Sequence, residues 1–103
     1  AGKRAVGGDS NQNHLAPGNV LTSMLKRVDV AAYQTMKDAM SGSFETGVRV
    51  LGLAEGGVGW AQDDNNAKLI SADMKAKIDQ AGADIVGGKV KVHDYQSDSN
   101  CPY

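Results

Sequence analysis

The chain has 103 residues, of which 41% are hydrophobic and 22% are charged, proportions that are ordinary for a folded protein and argue against disorder. This length allows one small domain with a modest core. The 11 basic and 12 acidic residues give a net charge of −1, which provides no basic surface, so binding of nucleic acid is not expected. No apolar run reaches the roughly 18 residues that a membrane-spanning helix needs.

The first predicted element is a short strand over residues 4–8, which ends in two glycines and runs into the polar sequence DSNQN. Open α/β sheets bind their ligands beyond the carboxyl ends of their strands. Asp9 is therefore the first candidate for a ligand contact, because a carboxylate can accept two hydrogen bonds from a vicinal diol such as the ring hydroxyls of a sugar. The same aspartate fits equally well as the cap of a turn, and its chemistry alone leaves both interpretations open.

The second apolar run, VLTSML at residues 20–25, has the length of a strand but is equally suited to begin a helix. Lys26 follows it, and its ammonium group can donate to a ligand hydroxyl or pair with Asp9. Taken alone, Lys26 is more consistent with a solvated charge at the end of a strand. Arg27 has the same two interpretations. Neighbouring strand positions point to opposite faces, so at most one of the two cations faces a given pocket.

A helical pattern begins at Val28, with apolar residues at three- and four-residue steps, and Ser41 and Gly42 end it. Residues 47–53 carry apolar side chains on both faces of an alternating pattern, which predicts a strand in a sheet that is covered on two sides. A pair of glycines then interrupts the chain. Residues 58–62 are predicted to form a second strand and a hairpin with the first.

The last third of the chain reads as a turn, a helix and a short strand. Residues 62–66, QDDNN, predict a polar turn, and Ser71 is a plausible N-cap for the helix that follows. Two glycines at residues 87–88 stop this helix. The alternation around residues 90–92 predicts a terminal strand, and a polar tail follows it.

The chain contains none of the short motifs that mark hydrolase elbows, zinc proteases or phosphate-binding loops, which argues against an enzyme. His14 and His93 are far apart in the sequence and have no obvious metal-ligand partners. Asp63 and Asp64 lack the alternate spacing and the glycine of a calcium loop, so a solvated turn is favoured over a cation site. No cofactor is expected.

Three further residues have two interpretations each. Trp60 and Phe44 are suited to stack on a base, but packing in the interior or at an interface is favoured. Cys101 is the single cysteine, so it cannot form a disulfide within the chain. It is interpreted as a thiol without a role in the tail, with a disulfide to a segment outside this chain as the alternative.

Four segments, in this order, resemble the C-terminal part of the basic membrane protein family, the purine nucleoside receptor A-like substrate-binding lipoproteins of ABC transporters. They are GGDSNQN, VLTSMLKRVDVAAY, GVRVLGLAEGGVGWA and GGKVKVHDY. The resemblance covers nearly the whole chain, and LTSMLKRVD is its most specific part. Two positions depart from the family pattern G-V-D-x-D-Q, because Gly8 replaces the valine and Asn11 replaces the second acidic residue.

The resemblance implies an α/β fragment of a type I periplasmic-binding-protein fold, in which two lobes close on a ligand. Residues 1–95 are expected to form part of the C-terminal lobe and the final crossings between the lobes, and residues 96–103 a polar C-terminal tail. The aspartate of the family's G-V-D motif falls on Asp9, and the lysine of its L-T-S motif falls on Lys26. The resemblance implies that both contact the ribose of a nucleoside.

The function implied is that of a non-catalytic, solute-binding component of an ABC transporter that binds a purine nucleoside between its lobes for import. Its partners would be the nucleoside-like ligand, the missing N-terminal lobe of the same protein and an ABC permease. The implied location is the periplasm or the outer face of the cytoplasmic membrane, with the membrane reached only through a lipid anchor absent from this chain. The alternatives are binding of another small metabolite such as a flavin or, less favoured, an enzyme acting on nucleosides.

Overall fold

The computed structural model describes residues 2–100, so Cys101 and the end of the predicted polar tail lie outside it. It contains three strands, β1 (Ala5–Gly7), β2 (Val20–Lys26) and β3 (Val58–Trp60), two helices, α1 (Val28–Ser41) and α2 (Ala72–Val86), and a short 3-10 helix (Asn13–Leu15). The chain is therefore α/β, as predicted.

The described strands form one sheet in the order β1-β2-β3. β1 runs parallel to β2, with Gly7 opposite Ser23, and β3 runs antiparallel to β2, with Val58 opposite Lys26. The VLTSML run becomes a strand because both of its edges find hydrogen-bonding partners. Since β1 and β2 are parallel, their carboxyl ends lie at the same edge of the sheet. This arrangement brings the loop after β1 close to the end of β2.

Both helices begin and end where their local sequence indicates. The C-cap of α1 is Gly42, whose φ of 74° lies in the left-handed region that glycine adopts without strain. The N-cap of α2 is Ser71, whose Oγ accepts a hydrogen bond of 3.2 Å from the backbone N–H of Met74. Neither helix in the described chain is long and apolar enough to cross a membrane.

The apolar stripe of α1 has nothing to pack against within residues 2–100. Neither α1 nor α2 contains a buried residue, and Met40 on α1 is 90% exposed. The radius of gyration is 16.5 Å, compared with about 13 Å for a compact domain of 100 residues. Both helices therefore leave apolar side chains exposed to solvent.

The strand predicted over residues 47–53 is wrong, since the described chain has no strand between α1 and β3. Val48 and Val50 are 96% and 85% exposed, and Arg49 instead forms an ion pair of 2.7 Å with Asp38 on α1. A strand requires a neighbour to satisfy its backbone groups, and this segment has none in residues 2–100. The predicted hairpin is wrong for the same reason, because β3 pairs with β2 instead.

The terminal strand predicted around residues 90–92 is also wrong. The backbone N–H groups of Lys89 and Val90 donate to the carbonyl of Asp84, at 2.8 and 3.2 Å. These bonds fold the chain back onto the end of α2. The alternating sequence therefore forms the exit from a helix rather than the edge of a sheet.

The interior of the small sheet is largely polar. Val20 and Ala61 are the buried hydrophobic residues of the described chain, whereas its largest fully buried side chains are those of Asn13, Ser23 and Asn66. Buried polar groups are costly unless they are hydrogen-bonded, so the bonds among these side chains hold this region together.

Replacing Gly57 with alanine is expected to lower the free energy of unfolding by about 1–3 kcal/mol, because the new Cβ would collide with the backbone carbonyl of Leu51. The buried Gly57 also ties two segments together, since its N–H donates to Gly52 and its carbonyl accepts from Arg27, each at 2.8 Å. Gly59→Ala is the matched control, because a Cβ there meets no atom within 4 Å. Urea denaturation measures both variants, and equal stability would contradict this account of Gly57.

Candidate functional site

The two residues predicted to contact a ligand meet at the edge of the sheet where β1 and β2 end. The Nζ of Lys26 lies 2.7 Å from Oδ1 of Asp9. The backbone N–H of Lys26 also donates to the carbonyl of Asp9, at 2.9 Å. The parallel pairing of β1 and β2 therefore joins residues that are distant in sequence, while their role toward a ligand stays a prediction.

Asp9 has an unusual backbone conformation. Its φ is 67°, and it is the only non-glycine residue of the described chain with a positive φ. For a non-glycine residue the left-handed conformation costs on the order of 1 kcal/mol, although aspartate tolerates it better than most. An exposed ion pair contributes only about 0–1 kcal/mol. The ion pair therefore does little more than offset the cost of this backbone conformation.

The pair is accessible from solvent, since the side chains of Asp9 and Lys26 are 73% and 61% exposed. The ion pair uses Oδ1, so the second carboxylate oxygen, Oδ2, remains able to accept from a hydroxyl. The ammonium of Lys26 has three N–H donors, and the ion pair engages one side of it. A carboxylate and an ammonium in contact can together bind a diol, the first accepting from its hydroxyls and the second donating to an oxygen.

Two cavities of the described surface lie elsewhere. The larger, of about 290 Å³, is lined by residues of the loop after β3 and by Lys75, and a second of about 190 Å³ is lined by Asp38 and residues 43–49. Neither is lined by Asp9 or Lys26. Open α/β sheets bind ligands beyond the carboxyl ends of their strands, so the Asp9–Lys26 pair is the candidate site rather than these cavities.

Ser23 on β2 anchors the loop that carries Asp9. Its buried Oγ accepts from the N–H of Gln12 at 3.0 Å and donates to Oδ1 of Asn13 at 2.8 Å. The side-chain amide of Gln12 in turn donates to the carbonyl of Gly8, at 2.7 Å. A Cβ at Gly7 would lie 2.7 Å from the Oγ of Ser23, so this close approach requires glycine.

Asp63, beyond β3, binds the same loop from the other side. Its Oδ2 accepts from the side-chain amides of Asn11 at 2.7 Å and Asn13 at 3.1 Å. The hydrogen bond from Asn11 is the main reason why the pKa of Asp63 lies below its usual value. The sequence favoured a solvated turn over a cation site here. The structure instead gives Asp63 a specific structural role.

Asn66 completes this polar interior. Its Nδ2 donates to the carbonyls of Leu21 at 2.9 Å and Ala61 at 3.0 Å, and its Oδ1 accepts from the N–H of Asp63 at 2.9 Å. Sequence reasoning missed this network of Ser23, Asn13 and Asn66. One signal was present, because two polar residues, Thr22 and Ser23, interrupt the apolar VLTSML run.

Arg27 does not take part in the candidate site. Its guanidinium contacts the carboxylate of Asp29 in the first turn of α1, with 2.8 Å between Nη2 and Oδ2. The hydrogen bond from Arg27 is the largest cause of the lowered pKa of Asp29, which is about 2. Only Lys26 of the two neighbouring cations contacts Asp9, in line with the alternation expected at the end of a strand.

The other candidates make no hydrogen bond or ion pair with Asp9 or Lys26 in the part of the chain that the structure describes. Trp60 has the ammonium of Lys75 5.8 Å from its ring centre, and Phe44 is half-exposed in the segment after α1. The Nε2 of His93 is buried without a hydrogen-bond partner, whereas His14 is exposed in the 3-10 helix. Within residues 2–100, no group of three His, Cys, Asp or Glu side chains is placed to hold a metal ion.

Nearly the whole chain matches the model of one protein family. The model of the basic membrane proteins, described as PnrA-like ABC transporter substrate-binding proteins, matches residues 1–96. The chain belongs to this family. The resemblance seen in the sequence is thereby confirmed, and the family is one of solute-binding proteins rather than enzymes.

Several proteins are similar to this chain, and two of them are named basic membrane proteins. Basic membrane protein D of Borreliella burgdorferi is 35% identical over 93 residues, which cover 84% of this chain and 26% of that protein. Basic membrane protein A of the same species is 34% identical over 94 residues, covering 89% and 27%. A lipoprotein of Pyrococcus abyssi is 43% identical over 56 residues, covering 54% and 14%. The chain thus spans about a quarter or less of these relatives.

The fold of this chain is similar to part of a crystal structure. A solute-binding protein of an ABC transporter system from Aeropyrum pernix K1 superimposes with a TM-score of 0.65 at 26% sequence identity. The match covers 90% of this chain and 34% of that protein. This confirms the expected fold class, an α/β fragment of a solute-binding protein.

Proposed function

We propose that this chain is part of a solute-binding protein that captures a purine nucleoside for import by an ABC permease, with Asp9 and Lys26 contacting the ribose. The observation that carries the proposal is the 2.7 Å contact between the two side chains at the shared edge of β1 and β2. Ligands of open α/β sheets bind at this position. Family membership supports the transport role.

The chemistry of the pair supports a sugar as the part of the ligand bound here. A free purine base offers no vicinal diol to the carboxylate of Asp9, whereas the ribose of a nucleoside does. A hydrogen bond to a charged group contributes about 1.5–3 kcal/mol. Two such contacts give a riboside and its free base a difference in binding free energy that binding measurements detect easily.

The proposal assigns residues 1–95 to one wall of a cleft, as part of the C-terminal lobe and the crossings between lobes. The chain covers about a third of the Aeropyrum structure, in keeping with a second wall formed elsewhere in the protein. The exposed helices and the unpaired segment 47–53 are surfaces that such a second part would cover. Ligand pockets between domains are common, and closure of the two lobes would bury the Asp9–Lys26 pair.

We further propose that the protein works outside the cytoplasm, in the periplasm or on the outer face of the cytoplasmic membrane. The Pyrococcus relative is named a lipoprotein, which supports attachment through a lipid at the N-terminus of the whole protein. In this proposal the segment described here reaches the membrane only through that anchor and through contact with the permease.

A thermal-shift panel on the two-lobed protein that carries this segment tests the ligand class. Saturating inosine is expected to raise Tm, because a ligand at about 100 times its Kd stabilises the folded state by about 2.7 kcal/mol. Hypoxanthine and riboflavin serve as the comparison ligands. A shift with riboflavin and none with nucleosides would replace the nucleoside by a flavin. Release of hypoxanthine from inosine would instead indicate an enzyme.

A further inference from the structure

We propose that Asp63 is a positioning residue for Asp9, fixing through Asn11 and Asn13 the loop on which the ligand-binding carboxylate lies. This inference rests on the function proposed for Asp9. Asp63 follows β3 in the chain, and in this inference it acts on Asp9 and not on the ligand.

Asp63 joins Asn11 and Asn13 of the loop after β1, and we call these three residues the clamp. One atom, Oδ2 of Asp63, accepts from two side-chain amides, those of Asn11 at 2.7 Å and Asn13 at 3.1 Å. The two asparagines are also joined directly, since Oδ1 of Asn11 accepts from the N–H of Asn13 at 3.0 Å. Asp63 therefore binds two asparagines that are already joined to each other and lie 52 and 50 positions away in sequence.

Hydrogen bonds on both sides of Asp9 connect the clamp to that residue. Asn13 is fully buried and bonded to Ser23, so its position is set by both β2 and Asp63. On the other side of Asp9, the carbonyl of Gly8 accepts from the side chain of Gln12 at 2.7 Å and from the N–H of Ser10 at 2.8 Å. Bonds on both sides thus enclose the residue whose φ is 67°.

The clamp requires a carboxylate at position 63. Both oxygens of Asp63 accept hydrogen bonds, because Oδ1 accepts from the backbone N–H of Asn65 at 2.8 Å while Oδ2 accepts from the two asparagines. An asparagine has one acceptor oxygen, so its amide group would face the donors on one of these two sides. The lowered pKa of Asp63 agrees with this, since its main cause is the bond from Asn11. A carboxyl with a lowered pKa contributes its bonds above its ordinary pKa and loses them as the pH falls through the lowered value. The clamp is therefore complete at neutral pH.

The test compares Asp63→Asn with Asp64→Asn in the two-lobed protein. Both variants remove one negative charge from the same turn, but Asp64 is exposed and its side chain makes no hydrogen bond within the described chain. If the loop of Asp63→Asn holds Asp9 in its binding position about a tenth of the time, the Kd of inosine rises about tenfold in this variant. The Kd of hypoxanthine, and both Kd values in Asp64→Asn, are expected to stay unchanged.

A double-mutant cycle separates positioning from general loss of structure. In the background of Asp9→Gly, the substitution Asp63→Asn is expected to weaken inosine binding no further, because the carboxylate that it positions is gone. Equal weakening of inosine and hypoxanthine by Asp63→Asn, or fully additive effects in the double variant, would overturn the inference. If Asp9→Gly alone leaves inosine binding unchanged, the proposed site of the nucleoside fails instead.

Hydrogen–deuterium exchange tests the clamp without any ligand. The amide of Gln12, bonded to Ser23, and that of Lys26, bonded to Asp9, are expected to exchange faster in Asp63→Asn than in Asp64→Asn. Should Asp63→Asn fail to fold, Asn11→Ala removes the 2.7 Å bond from the exposed end of the clamp and takes its place. Exchange equal to that of the control would overturn the inference.

Discussion

Replacing Asp9 with glycine is expected to weaken inosine binding by about tenfold to a hundredfold and to leave hypoxanthine binding unchanged. The range follows from about 1.5–3 kcal/mol for hydrogen bonds to a charged group. Glycine adopts the observed φ of 67° without strain, so the loop keeps its path while the carboxylate is lost. Calorimetry on the two-lobed protein measures both affinities.

Asp9→Asn is the matched control for the shape of this site. Asparagine also tolerates the left-handed conformation and keeps the size of the side chain, but it loses the charge and one acceptor oxygen. The affinity of Asp9→Asn for inosine is expected to lie between those of the wild type and Asp9→Gly. If both variants weakened inosine and hypoxanthine to the same extent, the assignment of Asp9 to the sugar would be wrong.

Asn66→Ala is expected to lower the free energy of unfolding by about 2–3 kcal/mol. The side chain is 1% exposed and makes three hydrogen bonds, so its removal leaves the carbonyl of Leu21 and the N–H of Asp63 without their partners. The carbonyl of Ala61 is less affected, because Thr22 Oγ1 also donates to it, at 2.8 Å. Urea denaturation measures the change.

Asn19→Ala provides the comparison for Asn66. Asn19 is exposed in the turn before β2, and its backbone rather than its side chain makes the hydrogen bonds there. Substitutions at such surface positions change stability by about 0.5 kcal/mol or less. Similar losses in the two variants would show that the buried amide of Asn66 is not the source of the stability.

The parts of the fold that the sequence predicts are those with local causes. A serine cap, a glycine that accepts a positive φ and three- and four-residue apolar spacing are sufficient to locate α1 and α2. The loop after β1 was found because glycines and then polar residues follow a short apolar run. These signals depend on neighbouring residues only, so they hold even in part of a larger protein.

The strand expected over residues 47–53 fails because strand formation depends on a partner as well as on sequence. The alternation is present, yet Val48 and Val50 remain exposed and the backbone is unpaired within the described chain. The pattern is the one expected if the neighbouring strand belongs to another part of the protein. Apolar residues on both faces remain the signature of a sheet covered on two sides.

The candidate site was predictable only in part. Asp9 and Lys26 came from the family resemblance, since their chemistry alone left other interpretations open. The polar network beneath them joins residues about 50 positions apart, such as Asn13 and Asp63, and no local pattern records such a pairing. Three-dimensional structure is needed to show that the asparagines of the first loop and the aspartate after β3 act together.

The most direct test of the central claim compares inosine with 2′,3′-dideoxyinosine on the unaltered two-lobed protein. The two ligands share the base and differ by the vicinal diol that Asp9 and Lys26 are proposed to bind. Calorimetry is expected to show binding of the dideoxynucleoside weaker by about tenfold or more, since contacts to a charged group are lost. Equal affinity for the two ligands would contradict the claim that this pair holds the sugar.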